Sequence, residues 1–193
     1  MMLEHLQHRK QISIDEFYHI RSVSNQLCEY IDRIIYMSPS PSTQHQRISM
    51  RLSSALFAFL QGKPCEVFSA PFDIELKRED IIENHVVIPD LSIICDKTGL
   101  TNQRYIGVPD LIIEILSPST SKHDKVVKLN LYQKFGVKEY WIVDPLNEII
   151  DVYRHENGCY QFPVSYGKSD HLLFAVGEDG EHEIDLALIF DQL

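Results

Sequence analysis

The chain lacks the signatures of several protein classes. Its four cysteines (Cys28, Cys65, Cys95, Cys159) form no CxxC pair, which sets aside zinc-ribbon and thioredoxin-type arrangements. Reduced, mostly buried thiols in a reducing compartment are expected instead. No apolar run approaches the ~18 residues that a membrane-spanning helix needs. The opening MMLEHLQHRK is charged and has no apolar stretch, so it does not read as a signal peptide. A cytoplasmic protein with no membrane association is expected. GxGxxG, P-loop, GxSxG and HExxH motifs are all missing. Their absence argues against dinucleotide binding, P-loop NTP hydrolysis, nucleophile-elbow hydrolysis and zincin proteolysis. Positive charge is also short. Eighteen Lys and Arg against 28 Asp and Glu leave a net −10, a balance that does not favour a phosphate backbone as partner.

That shortage is uneven. Residues 117–140 hold Lys122, Lys125, Lys128, Lys134 and Lys138 against Asp124 and Glu139, whereas residues 177–193 hold six acids and no Lys or Arg. Base gathered around one helix permits nucleic-acid binding without requiring it.

What is present suits one domain spanning 1–193. The chain has 193 residues, 44% of them hydrophobic, enough for a core without staples. Ser13 and Glu16 form a capping-box pattern that opens a helix to about residue 21. Residues 28–37 read as a hairpin turning at Asp32-Arg33, followed by a Ser/Pro loop over 38–42. Thr43 with Gln46 suggests a second capping box. Ile48, Leu52, Leu56 and Leu60 then recur at helical spacing up to Gly62 and Pro64. Strands are predicted near 65–70, 72–77, 87–95 and 111–116, with a polar loop over 79–86. Asp124 is expected to cap a helix over 125–135 that Gly136 ends. Strands near 139–143, 149–154, 160–165 and 171–176 and a short helix near 185–192 complete the reading. The fold class is α+β (broadly α/β), a mixed sheet flanked by helices.

Two carboxylates sit in apolar company. Asp90 follows Pro89 within VVIPDLSII, and Glu114 lies within LIIEIL. An ionised carboxylate among strand apolar residues is costly unless something pairs with it. Mg²⁺ or Mn²⁺ is one such partner; an Arg or backbone N–H groups are the other. Lys128 lies one helical turn past Asp124, and Tyr132 continues that face. A lysine there could stabilise charge developing on phosphorus, or it could be a solvated surface group. Glu29 could be a surface strand acid. His45, near a helix N-terminus, could be a polar residue with no role, although that position would favour the neutral imidazole that can ligate. Alternation could place Asp73 on a solvent face, and Asp144 most simply starts a turn. Ser117-Pro118-Ser119-Thr120-Ser121 feeds a helix whose free N–H groups can receive phosphate.

Several strings together resemble a known family. PDLSIICD (89–96), GVPDLIIEILSPST (107–120) and DKVVKLNLYQKFGVKEYWIVDP (124–145) are similar to the Uma-two family of restriction endonucleases, within the PD-(D/E)xK superfamily. CEYIDRIIYMS (28–38) and SPSPSTQHQRI (38–48) fit its N-terminal half, and the likeness is strongest over 13–155. The resemblance implies a restriction-endonuclease-like fold, with Asp90 and Glu114 as metal ligands. Glu29 and His45 also match recurrent family positions. The E-x-K lysine is replaced by Leu116, and Lys128 occupies the family's own lysine position. Arg33 stands where a hairpin turn would favour glycine.

These observations give three functional expectations. The first is an Mg²⁺-dependent endonuclease that cleaves DNA through Asp90, Glu114 and Lys128, with Glu29 and His45 in support. The second is a non-catalytic nucleic-acid- or protein-binding module on a nuclease fold. The third is a metal-dependent hydrolase of small phosphoesters. A late exposed hairpin could pair two copies as a homodimer.

Overall fold

The computed structural model describes residues 11–24, 26–37, 40–177 and 180–191. Helix α1 (Ile14–Val23) opens on the expected capping box. Ser13 accepts from the Glu16 N–H, and the Glu16 side chain accepts from the Ser13 N–H. Strands β1 (Cys28–Ile31) and β2 (Ile34–Met37) form the first hairpin. Asp32 (φ 50°) and Arg33 (φ 66°) both adopt left-handed backbone at its turn. That conformation disfavours side chains bearing a Cβ, which is why glycine would suit Arg33. Part of the Ser/Pro loop, residues 38–39, lies outside the described residues.

Helix α2 (Thr43–Leu60) begins one residue earlier than its capping pattern suggested. Ser42, not Thr43, accepts from the His45 N–H. Strands β3 (Glu66–Ser69), β4 (Asp73–Arg78), β5 (Ile81–Val87), β6 (Leu91–Ile94), β7 (Arg104–Gly107) and β8 (Leu111–Ile115) follow. The sequence predicts a loop over 79–86, but residues 81–86 belong to β5. They form a strand because β5 has ladder partners on both sides, β4 and β1, despite its polar exposed middle.

A continuous helical segment then runs from residue 121 to helix α3 (Leu129–Phe135), passing through a π turn at His123–Lys128. Asp124 therefore lies inside the helix and does not cap it. Gly136 closes the segment at φ 80° as predicted. Strands β9 (Glu139–Asp144), β10 (Ile149–Glu156), β11 (Cys159–Tyr160), β12 (Val164–Gly167), β13 (His171–Ala175) and β14 (Glu181–Asp185) lead to helix α4 (Leu186–Phe190).

The architecture is α+β. One sheet runs β2-β1-β5-β4-β7. A second runs β11-β10-β9-β8-β6-β3, with β12 also on β10, and β13 pairs with β14 alone. The β4–β7 and β8–β9 pairs are parallel and the others antiparallel, so both large sheets are mixed. The second sheet is apolar on both faces. Alternate residues divide between two cores, as strand pleating requires. Ile113 and Trp141 meet Leu52 and Leu56 of α2 together with Phe174 and Phe190. Ile112, Tyr140 and Ile142 meet Tyr132 and Phe135 of α3 and the first sheet's Ile31, Ile74 and Val87. Glu114 shares the parity of Ile112, so it faces the α3 side.

The four thiols are not all free. Cys65 and Cys95 form a disulfide, while Cys28 (buried) and Cys159 (exposed) remain thiols. The register explains the pairing. Glu66 lies opposite Ile94, so Cys65 and Cys95 are the next facing positions along antiparallel β3 and β6. The bond removes the argument from cysteine usage to a reducing compartment. Among the described residues, no helix is long and apolar enough to cross a membrane.

Candidate functional site

Pro89 has no N–H to donate, so the ladder breaks between β5 and β6. Asp90 sits in that break, where its carboxylate is free to turn away from strand pairing. Its Oδ2 accepts the Ile115 N–H at 2.7 Å and lies 3.1 Å from His45 Nε2. An ionised carboxylate only accepts, so Nε2 carries the proton in this contact. His45 Nδ1 is buried without a hydrogen-bond partner. One oxygen thus ties the end of β8 to the start of α2.

Glu114 is 4% exposed and does not lie idle in its strand. Its Oε1 accepts from Lys128 Nζ at 2.8 Å and from the Tyr132 hydroxyl at 2.9 Å. Lys128 Nζ is also 2.9 Å from Glu29 Oε1 and 3.7 Å from Asp124 Oδ1. Glu29 Oε1 in turn accepts the Ile88 N–H at 2.8 Å. The solvated-surface alternatives for Lys128 and Glu29 are therefore overturned, since each is 4% exposed. Leu116, at the superfamily lysine's position, is buried in the α3-side core. Lys128 reaches Glu114 from the following helix instead.

The π turn explains how three side chains of one helix serve the cluster. The Leu129 N–H bonds the Asp124 carbonyl, an i→i+5 closure that widens the turn. His123, one residue before Asp124, can then also approach Glu29. Its ring lies 4.2 Å from that of Tyr36, centroid to centroid, and its Nε2 is 3.7 Å from Glu29 Oε2. The sequence did not single out His123. No spacing rule marks a π turn, and its partners Tyr36 and Glu29 lie in the distant first hairpin.

Electrostatics separate the two buried glutamates. Burial raises the Glu114 pKa, and Asp124, Asp90 and Glu29 add to it. Together they outweigh Lys128 and hold Glu114 well above the usual carboxylate range. Burial also works against the Glu29 anion, but Lys128, the nearby His123 and the Ile88 N–H lower it below the usual value. Burial works against the Lys128 ammonium too, yet Glu114, Glu29 and Asp124 hold its pKa well above that of an ordinary lysine. Burial and then Glu114 keep Tyr132 protonated as a donor. Around one ammonium stand Glu29, Glu114 and Asp124, with Asp90 beside them. Carboxyl groups outnumber the cation.

Glu139 offers a control within the same fold. It is buried as well, but the Trp141 indole N–H at 2.8 Å and Arg154 Nε at 3.0 Å satisfy it. That is how a merely structural acid looks here. Asp73 pairs with Arg21 at 2.9 Å, and Asp144 accepts the Leu146 N–H in a turn; neither joins the cluster.

Glu29, His45, Asp90, Glu114 and Lys128 all line one cavity of 1440 Å³. Ser117, Ser119, Thr120 and Lys122 of the loop entering the helix line it as well. The five candidate residues from the sequence therefore converge on one space, although β1, α2, β8 and the π turn are far apart along the chain.

The fold recurs in a known protein. A crystal structure of "a putative nuclease belonging to DUF820" from Anabaena variabilis superposes with a TM-score of 0.72 and 22% identity, covering 93% of this chain and 97% of that one. The uncharacterized protein slr1290 of Synechocystis sp. is 29% identical over 163 residues, 84% of each chain. Residues 14–184 match the Uma2 family, described as "Putative restriction endonuclease", and the chain belongs to that family.

Proposed function

We propose that this protein is a divalent-metal-dependent endonuclease that hydrolyses phosphodiester bonds of DNA at the Asp90–Glu114–Lys128 cluster. The observation that supports it best is the convergence of these three residues, with Glu29 and His45, on one cavity. Family membership supports a nuclease activity.

The donor set suits Mg²⁺ or Mn²⁺. Among the described residues, no three His, Cys, Asp or Glu side chains form a ready-made ligand cage. Mg²⁺ needs none, because it uses one or two carboxylates and keeps several waters. Asp90 and Glu114 would hold it, and a dication would favour the ionised form of the carboxyl groups crowded around Lys128. Such an ion would polarise phosphate oxygens and activate water for attack. The chain's own groups do the rest. His45 and the Ile115 N–H fix the Asp90 carboxylate. Tyr132 and Lys128 fix Glu114, and the Lys128 charge stands ready to stabilise a developing anion. Ser117, Ser119, Thr120 and Lys122 supply donors for phosphate oxygens near the helix start.

Cavity volume weighs against a small phosphoester as substrate, since 1440 Å³ exceeds the ~300–1,000 Å³ of typical small-ligand pockets. One observation favours a non-catalytic binding module instead: Lys128 is already engaged by three carboxylates. The decisive experiment incubates plasmid and linear DNA with the protein in Mg²⁺, Mn²⁺ or EDTA, beside Asp90→Ala and Glu114→Gln variants. Metal-dependent cutting that both substitutions abolish supports the reading. Unchanged cutting by a folded Asp90→Ala protein rejects the assignment. A homodimer formed through the β13–β14 hairpin would use its outward face, since Leu172 and Phe174 already fill the core. Light scattering at several concentrations would test it.

A further inference from the structure

Two features of the cavity bear on which form of nucleic acid it accepts. Its basic character is smaller than the lysine count suggests. Of the five lysines around the helix, Lys128 is buried among carboxylates, Lys134 meets Glu83 at 3.2 Å and Lys138 meets Asp110 at 2.7 Å. Apart from Lys128, Lys122 is the one Lys or Arg lining the cavity among the described residues. Its solvent-facing lining mixes polar side chains such as Ser40, Gln46 and Ser119 with a group of apolar ones. Leu27, Met37, Met50 and Val126 are 41%, 53%, 68% and 49% exposed, and all four line this same space.

An intact duplex turns its phosphates outward and stacks its bases inside. It would meet few cations here and leave these apolar side chains wet. An unpaired nucleotide offers the complementary chemistry: an apolar base face to lie against methionine and valine, and a phosphate to reach the polar floor. The acid–lysine cluster on that floor distinguishes this cavity from a plain apolar groove, and a divalent cation held there, as the nuclease reading requires, would be what meets the phosphate.

We propose that the site takes unpaired DNA, a single strand or a single-stranded end, in preference to continuous duplex. This rests on the nuclease reading above and narrows its substrate. Met37 and Met50 are specificity-determining contacts for the base, remote from the chemistry of phosphate hydrolysis.

The test uses the full-length protein and one fluorescein-labelled oligonucleotide in three forms: single-stranded, annealed blunt, and annealed with a single-stranded overhang. Binding is read by anisotropy in Ca²⁺ and cleavage on gels in Mg²⁺ or Mn²⁺. The single-stranded and overhang forms are expected to bind about tenfold more tightly than the blunt duplex. A Met37→Ser/Met50→Ser protein, changed only at exposed positions, should lose most of that preference. Equal or tighter binding of blunt duplex overturns the inference, and metal-dependent cutting of that duplex would leave the nuclease reading standing. Unchanged single-strand preference in the double variant overturns the role of the methionines. If no form of DNA is bound or cut, the inference and the nuclease reading both fall, and a protein partner becomes the better match to the apolar side chains.

Discussion

Lys128 Nζ stands 2.8 Å from Glu114 Oε1, so a helix residue supplies the cation that the strand carrying Glu114 lacks. Both side chains are almost fully buried, and the pair is asymmetric. Removing Lys128 leaves Glu29, Glu114 and Asp124 facing one another without a cation. Neutralising Glu114 removes a charge that burial already disfavours. Lys128→Met should therefore destabilise the fold by about 3–5 kcal/mol, the usual cost of breaking a buried pair from one side. Glu114→Gln should cost markedly less, yet lose activity. Urea denaturation of the two variants checks the order. Equal losses would mean that the cluster's charge is balanced in some other way.

A raised Glu114 pKa links metal binding to protons. The folded, metal-free protein holds a proton on Glu114 well above the ordinary carboxylate value, and a divalent cation must displace it. Mg²⁺ or Mn²⁺ affinity should thus fall as pH drops, beginning above the ~4.3 of an unperturbed glutamate. Binding should also release protons. Calorimetry in buffers of different ionisation enthalpy measures that release directly. A buffer-independent heat would show that Glu114 is already ionised or is not a ligand.

His45 is the orienting partner of Asp90 in this scheme, through its 3.1 Å contact. A group that holds a ligand carboxylate in place typically governs metal affinity by about 10–100-fold. His45→Gln should weaken metal binding to that extent while changing stability little, because the ring is held mainly by this one polar contact. Saturating metal should restore much of the cleavage rate. A rate that stays low at saturation would assign His45 to the chemistry itself.

Legibility in the sequence followed physical anomaly. Asp90 and Glu114 stood out because acids do not belong in VVIPDLSII and LIIEIL, and both line the cavity. Glu29 gave no such signal. Its hairpin strand reads as a surface strand, but β1 lies between β2 and β5 in its sheet and is buried along its whole length, so a residue that looks solvent-facing is enclosed. Spacing marks Asp124 as a helix cap, because a π turn cannot be told from an α-helical start by spacing. Residues 81–86 of β5 read as a loop because their strand character comes from neighbours and not from the strand's own polar middle. The Cys65–Cys95 bond depends on the register of β3 and β6, which no cysteine-spacing rule contains.

That bond gives a simple count. Under denaturing conditions without reductant, a thiol reagent should find two thiols per chain, Cys28 and Cys159, and four after reduction. In the folded protein Cys159 should react first, because it is exposed and Cys28 is buried. Four thiols before reduction would restore the fully reduced state that cysteine spacing alone suggested.

Acid sensitivity of the fold should trace to His85, away from the cavity. The ring is 1% exposed, its Nδ1 accepts the Asp32 N–H at 3.3 Å, and its Nε2 is buried without a hydrogen-bond partner. A ring that accepts at Nδ1 is neutral, and burial holds its pKa below the ordinary histidine value. The unfolded chain therefore binds the proton more readily than the folded one. The stability that His85 protects is fully present above the unfolded value of ~6.5 and is lost as pH falls through it. His85→Gln removes the titrating group. It should lower stability at neutral pH, through the disturbed turn at Asp32, but flatten the decline between about pH 7 and pH 5. Chemical denaturation of both proteins across that range measures the difference in slope. Parallel curves would place the acid-sensitive group elsewhere, most simply among the buried carboxylates around Lys128.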